Sequence, residues 1–389
     1  MDDRGFDALS RRVGAMELAR LPRRGLLGLV GSAALGSALG TAVTGSPAAA
    51  AKQAKGEAKQ TKSEGKNKCK KEGKTCSKNK DCCKGKCVNE KCSSDSSKCL
   101  TNQDFDKQFG SGGSGNGQFN NPFGIGISKD NEIYVADRGN NRIQVFDANG
   151  NYQRKWGSSG TGKTQFVSVR GVAVVDSGSS ERVFVSDPGQ SGSRQLRRFD
   201  GNGDWKSDNA PDDMNDPFTV TTDTNNENIW VVDTGGRVFL FDRTGDRLAD
   251  WKPTGSGDIS GAQGIAVWYD KSNDQTFVFI ARTGSSTVVK FEYVNNGSNG
   301  LKFVKKVGSF GDASDEFKKP ADLAVDKCGN LWVSDTENNR IQKLDKDLKF
   351  KSRFTASMNN PTGIALDKSG KSLYVVDSLK NRVLKFKLS

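Results

Sequence analysis

The chain contains no histidine among its 389 residues. That absence removes any Ser-His-Asp or Cys-His nucleophile and any imidazole ligand for a metal. Zinc-type C-x2-C pairs are also missing, although there are eight cysteines. Helical periodicity is absent from the last three-quarters of the chain, where short apolar runs alternate with polar turns. A one-sided charge is missing there too. Residues 101–389 hold 38 Lys/Arg against 36 Asp/Glu, a net of +2, so the formal +13 lies mostly in residues 1–100, with 21 against 10 and a net of +11. Nucleic-acid binding needs a basic face, so no nucleic-acid partner is expected.

What is present is a phrase that recurs. Tyr134-Val135-Ala136-Asp137-Arg138-Gly139-Asn140-Asn141-Arg142-Ile143-Gln144 returns as Trp332-Val333-Ser334-Asp335-Thr336-Glu337-Asn338-Asn339-Arg340-Ile341-Gln342. It returns again from Tyr374-Val375-Val376-Asp377 to Asn381-Arg382-Val383. Weaker copies run from Phe184 to Phe199, from Trp230 to Phe241 and from Phe279 to Phe291. Taking anchors at 137, 187, 233, 281, 335 and 377 gives six units with a spacing of 42 to 54 residues. Each unit reads as a β-hairpin with one short apolar strand before it, such as Gly124-Ile125-Gly126-Ile127, and one after it, such as Tyr152 to Trp156. Four strands per unit at this period predict a β-propeller blade. The last unit lacks a fourth strand before Ser389. Lys107-Gln108-Phe109-Gly110-Ser111, which looks like the fourth-strand ending Arg154-Lys155-Trp156-Gly157-Ser158, is expected to supply it and so close the ring.

The units resemble NHL repeats. The likeness rests on Asn121-Pro122-Phe123-Gly124-Ile125, repeated as Asn360-Pro361-Thr362-Gly363-Ile364, followed by the Tyr-Val-Ala-Asp and Asn-Arg-Ile-Gln phrases. A Trp-Asp type propeller would need a Gly-His signature. The resemblance implies an all-β, six-bladed propeller, placed at residues 105–389. It does not imply one function. Some NHL propellers bind RNA through a basic face, which this near-neutral domain lacks. Amidating and streptogramin lyases resemble the fold, but both are expected to rely on histidine.

The recurring carboxylates could be mistaken for a catalytic row. A structural pairing explains them better: Asp137 with Arg142, Asp187 with Arg194, Asp233 with Arg237, Asp335 with Arg340 and Asp377 with Arg382, each tying a hairpin through a charge-assisted hydrogen bond. In the fourth unit the two positions read as Ala281 and Thr287, so both partners are missing together. Asp200-Gly201-Asn202-Gly203-Asp204 looks like a calcium loop, but it recurs at Asp147 and Asp242 and reads as a turn.

The first hundred residues read differently. Arg23-Arg24, a Gly/Ala-rich run to Val43 and the small residues Ser46 to Ala51 resemble a bacterial twin-arginine signal over residues 1–51, cleaved near Ala50-Ala51; a retained anchor is the alternative. Residues 52–68, rich in lysine and without a large apolar side chain, predict a disordered linker. Residues 69–92 carry Cys69, Cys76, Cys82, Cys83, Cys87 and Cys92 in a pattern that resembles an inhibitor cystine knot. That resemblance implies bridges Cys69–Cys83, Cys76–Cys87 and Cys82–Cys92; sequence alone leaves every connectivity open. Residues 93–104 form a connector. Cys99 and Cys328, in the turn Asp326-Lys327-Cys328-Gly329-Asn330, are expected to reach the same rim and can pair.

No residue is assigned as catalytic or metal-ligating, and no cofactor is called for. The expectation is a secreted or cell-surface bacterial monomer without a membrane span in its mature form. It would bind a protein, peptide or glycan at one mouth of the ring, through Phe119, Phe166, Arg170, Phe218, Gln263, Phe317 and Asp322. The basic stretch 52–98 would meet anionic envelope polymers. The alternatives are a carboxylate-metal lactonase and a knot-borne inhibitor or effector.

Overall fold

A computed structural model describes residues 102–177, 180–189, 195–223, 228–294 and 300–389, with the backbone of 86–88 and 91–93. The larger part is a ring of six four-stranded antiparallel sheets. In blade one the strands are Ile125–Ile127, Ile133–Asp137, Arg142–Phe146 and Tyr152–Trp156, innermost first. Blades two to five repeat this order. Blade six takes Pro361–Leu366, Ser372–Asp377 and Arg382–Leu388 from the end of the chain and Gln103–Phe109 from its beginning. Leu388 lies opposite Gln103, and Val383 opposite Phe109.

The borrowed strand is a true fourth strand by its register. In every blade the pairing of third and fourth strands slips by one residue at the same place, between Val145 and Phe146 in blade one and between Lys385 and Phe386 in blade six. Such a bulge deepens the local twist. Blade six needs the N-terminal strand to reproduce it.

The core is distributed between blades. Among the described residues the buried apolar side chains fall into six clusters, each drawn from two neighbouring sheets. Successive side chains of a strand point to opposite faces. Ile133 and Val135 therefore pack with Tyr374, Val376 and Val383 of blade six, while Tyr134 and Ala136 pack with Val172, Val183 and Val185 of blade two. Both faces of the second strand are covered, which is why it reads as an unbroken apolar run.

The six innermost strands surround an axial channel with a cavity of about 220 Å3. Glycine lets them approach. A Cβ on Gly124 would lie 2.1 Å from the Arg170 carbonyl oxygen, and one on Gly363 would lie 2.4 Å from that of Phe123. The Gly363 N–H donates to the same Phe123 oxygen at 2.8 Å, joining the last blade to the first.

Residues Lys86–Val88 and Lys91–Ser93 form a two-stranded hairpin with Cys87 opposite Cys92. The signal-like segment, the linker, and Cys69, Cys76, Cys82, Cys83 and Cys99 lie outside the described residues. Cys328 is disulfide-bonded. It lies in the turn between the first two strands of blade five. The turn lies on the rim where the Gln103 end of the closing strand also lies, opposite the Asp…Arg hairpins. Among the described residues no helix is long and apolar enough to cross a membrane.

Candidate functional site

The repeated phrase builds a cage around each blade's entry loop. In blade one the buried Asp137 accepts the Asn120 N–H at 2.8 Å on Oδ1. Its Oδ2 accepts Arg142 Nε at 2.7 Å, Asn140 Nδ2 at 2.9 Å and Gln144 Nε2 at 3.0 Å. The Arg142 terminal nitrogens donate to the carbonyls of Ser114, Gly115 and Gln118. Blade five repeats this with Asp335, Arg340, Asn338 and Gln342 around Lys318, Ala313 and Glu316. The Arg382–Asp377 pair in blade six is 2.8 Å apart. The second Asn of the phrase takes left-handed φ near 50° and reaches the next blade: Asn381 Oδ1 accepts the Asn121 N–H, and Asn339 Oδ1 that of Asn360. The Asp, both Asn, the Arg that opens the third strand and the Gln two residues after it are thus engaged in architecture.

The hairpin ties of blades two, three and four differ from that of blade one. In blade two the guanidinium that meets Asp187 is Arg197's, at 2.8 Å; Arg194 lies outside the described residues. Asp187 is opposite Gln195, so Arg197 stands where blade one has Gln144. Positions two apart share a strand face, and the longer arginine reaches the same carbonyls, here of Gly162, Lys163 and Gln165. In blade three the turn is one residue shorter. Arg237 gives Asp233 only its backbone N–H, and its guanidinium turns to Asp213 and Asp250. Burial then pushes the Asp233 carboxyl above its ordinary value, against the hydrogen bonds from Arg237 and Asn215. In blade four the residue opposite Thr287 is Arg282, not Ala281. Arg282 reaches back to Asp258 in the entry loop at 2.9 Å. The blade has therefore reversed the polarity of the tie rather than simply lost it.

Phe119, Phe166 and Phe317 are fully buried and do not face a ligand. Each closes over a glycine that follows a fourth strand. A Cβ on Gly157, at φ +102°, would lie 2.5 Å from the Phe166 ring, and one on Gly110, at φ +90°, 2.4 Å from Phe119. These phenylalanines are plugs of the inter-blade cores. The Asp147, Asp200 and Asp242 turns close on themselves, each carboxylate accepting backbone N–H groups two and four residues ahead. No group of three His, Cys, Asp or Glu comes together among the described residues.

What remains is the channel and its mouth on the hairpin rim. Registering the blades against one another places Phe123, Arg170, Phe218, Gln263, Ala321 and Thr362 in one ring around that mouth. Ala321, Thr362 and Phe218 are buried; Phe123, Arg170 and Gln263 are half-buried. The Arg170 guanidinium lies 4.0 Å over the Phe218 ring, whose edge meets Phe123 with centroids 5.2 Å apart. Burial pushes Arg170 down to about 10, and the like charge of Arg138 adds to this, while Asp216 and Asp187 oppose it. Its Nε is buried without a hydrogen-bond partner, and it forms no ion pair among the described residues. Phe123 and Arg138 were not singled out from the sequence. Arg138 had a signal: the residue after the repeat Asp is Thr234, Thr336 or Ser378 in other blades.

One step inward, the ring reads Gly124, Gly171, Thr219, Gly264, Asp322 and Gly363. Asp322 is thus a carboxyl where most blades have glycine. It is 6% exposed, and its Oδ2 accepts the Ile364 N–H at 3.2 Å across the seam to blade six. Its Oδ1 has no hydrogen-bond partner. Burial pushes it up to about 7, against the N–H groups of Leu323 and Ile364.

The NHL repeat family matches residues 119–146 and 317–344. A stretch of 141 residues is 31% identical to Protein brain tumor of Drosophila melanogaster, covering 36% of this chain and 13% of that one. A stretch of 47 residues is 49% identical to the E3 ubiquitin-protein ligase TRIM71 of Rattus norvegicus, covering 12% of this chain and 6% of that one. The chain therefore spans only a small part of these relatives. Among solved structures, the propeller is similar to a gluconolactonase of Xanthomonas campestris, with TM-score 0.51, 15% identity and coverage of 70% and 88%. It is also similar to a structural-genomics protein of unknown function from Bacteroides thetaiotaomicron, with TM-score 0.53, 15% identity and 78% of each chain covered. At that identity the likeness is one of fold.

Proposed function

We propose that this NHL-repeat propeller is a binding module that takes a protein, peptide or glycan at the hairpin-rim mouth, on the exported side of a bacterial membrane. The observation that carries the mouth assignment is the half-buried Arg170 guanidinium stacked on Phe218, which Phe123 meets edge to face; it forms no ion pair among the described residues. The hairpin-tie arginines of that rim are instead engaged within the protein, by carboxylates and by entry-loop carbonyls. Export is supported by the signal-like N-terminus and by the disulfide at Cys328, since such bonds persist in oxidising compartments. The basic segment 52–98 offers a second contact to anionic envelope polymers. The test is affinity capture from envelope extracts with the mature chain, with residues 99–389, and with Arg170→Met and Phe123→Ser variants. A partner lost with the mouth variants supports the assignment; one retained by them overturns it.

A lactonase reading has Asp322 in its favour, a buried carboxyl lining the channel with a value pushed toward neutrality. The donor set does not fit a metal. Asp322 lies beside Leu323 and Ile364 with one oxygen already engaged by a backbone N–H, and although Asp223, Asp326 and Asp367 also line the channel, no three such carboxyls come together among the described residues. Metal analysis of the purified protein and a panel of lactones decide this reading.

A further inference from the structure

We infer that the mouth recognises a carboxylate on a peptide, held by Arg170 with Arg138 in support, while an adjoining apolar side chain rests against Phe123. The inference deepens the binding reading above and depends on it.

The arginines that tie the blade hairpins have their charge met. Arg142, Arg197, Arg340 and Arg382 each meet a buried Asp. Arg237 and Arg282 meet Asp213, Asp250 and Asp258. Arg170 is as deeply placed as several of these, yet no carboxylate bridges it among the described residues, and burial lowers its affinity for its own proton. Asp216 and Asp187 stand near enough to favour its charge but neither bonds it, so a partly desolvated guanidinium keeps a fork that a ligand can complete.

The geometry selects the partner. Stacking on Phe218 covers one face of the guanidinium and leaves its fork edge to take a planar, two-oxygen acceptor. The Phe123 ring beside it is half-buried and meets Phe218 edge-on, so part of its surface remains for an apolar group. A second positive charge stands nearby on Arg138, in the hairpin turn Arg138–Asn140. A polynucleotide would need a longer basic track, because its affinity is built from many phosphate contacts. The same rim carries exposed Asp216 and Glu337 and half-buried Asp258, and the domain's net charge is only +2 over residues 101–389. One carboxylate with an apolar neighbour matches this surface better than a run of phosphates.

Two kinds of carboxylate meet the description, a peptide's C-terminus and an acidic side chain. Fluorescein-labelled peptides separate them when titrated into the full mature chain by anisotropy: Ala-Ala-Phe with a free C-terminus, the same peptide amidated, and an amidated Glu-Ala-Phe. A labelled ten-nucleotide polyuridine serves as the competing class. Binding of a carboxylate-bearing peptide at least tenfold tighter than the neutral amide supports the inference, and which of the two binds names the source. Arg170→Met should weaken that binding about 10- to 100-fold, the span of a lost hydrogen bond to a charged group. Arg170→Lys, which keeps the charge without the fork, should recover part of it. Melting temperatures of both variants show that the fold is kept. Equal binding of free-acid and amide peptides, abolished by Phe123→Ser, would overturn the carboxylate while leaving the mouth as the binding site. Arg170-dependent binding of polyuridine with no peptide binding would overturn the inference in favour of nucleic acid. Silence from every probe at millimolar concentration would overturn both it and the mouth.

Discussion

Asp335 is the sharpest place to test whether the recurring carboxylates are scaffold. Its side chain is fully buried and that of Arg340 is 6% exposed. Four donors converge on the carboxylate: Lys318 N–H at 2.7 Å, Asn338 Nδ2 at 2.9 Å, Arg340 Nε at 2.6 Å and Gln342 Nε2 at 3.2 Å. Asp335→Ala removes the acceptor for all four and leaves the guanidinium charged and buried. Breaking such a pair from one side costs ~3–5 kcal/mol. At about 2 °C or slightly more per kcal/mol for a domain of this size, melting should fall by roughly 6–12 °C. Arg340→Met added to Asp335→Ala removes the stranded charge, so the double variant should melt above the single one. Circular dichroism of the three proteins decides the matter, alongside the peptide titration, which should not change. A single variant that melts normally but no longer binds would refute the scaffold assignment.

The blade-two cage supplies a second test: Arg197→Gln should lose ~3–5 kcal/mol, and adding Gln195→Arg should restore much of it by recreating the blade-one order, read as urea midpoints. Gly157→Ala forces a Cβ against the Phe166 ring at positive φ and should cost ~1–3 kcal/mol, whereas Gly284→Ala, with nothing within 4 Å of its Cβ, should be nearly neutral in the same assay. Asp322 sets a pH dependence. Its carboxyl is pushed from 3.8 to about 7 on folding, so the folded state holds the proton more tightly, and its contribution to stability is greatest below pH 4 and declines until about pH 7. Asp322→Asn should flatten that decline and gain up to ~4 kcal/mol relative to the parent above pH 7. Parallel stability profiles of the two proteins between pH 5 and 8 would sink the assignment.

The blades were legible because their signal is redundant. The anchors Asp137, Asp335 and Asp377 recur with their hairpins, and the likeness of Phe109-Gly110 to Trp156-Gly157 sufficed to expect the closing strand. The pairings failed where a guanidinium's reach replaces sequence spacing. Arg197 occupies the place of Arg142 from two residues further along the strand, and no count of intervening residues reveals that. The blade-four anchor failed by one position because Phe279-Ile280-Ala281-Arg282 offers no Asp to fix the register; only the pairing of Arg282 with Thr287 does. The phenylalanines at 119, 166 and 317 were misplaced because a loop position suggests exposure. Their repetition after Gly110, Gly157 and Gly308 was the available sign that they serve the architecture.

That same criterion locates what is individual about the molecule. A side chain that recurs at one register in most blades is explained by what every blade must do: close its hairpin, hold its entry loop and cover its neighbour. Function is then expected where a column of the repeat breaks. Three columns break near the axis on the hairpin rim. Asp322 replaces a glycine, Arg138 replaces a small residue or hydroxyl after the repeat Asp, and Arg170 stands in the mouth ring between two phenylalanines. The breaks in blades three and four are answered within the protein, since Arg237 finds Asp213 and Asp250, and Arg282 finds Asp258. Those at Arg170 and at Asp322 Oδ1 are not answered by any hydrogen-bonding partner. Arg170 has its charge at an open mouth, whereas Asp322 can meet its own burial by holding a proton. Of the two, the arginine is therefore the group to which the proposed binding partner is assigned.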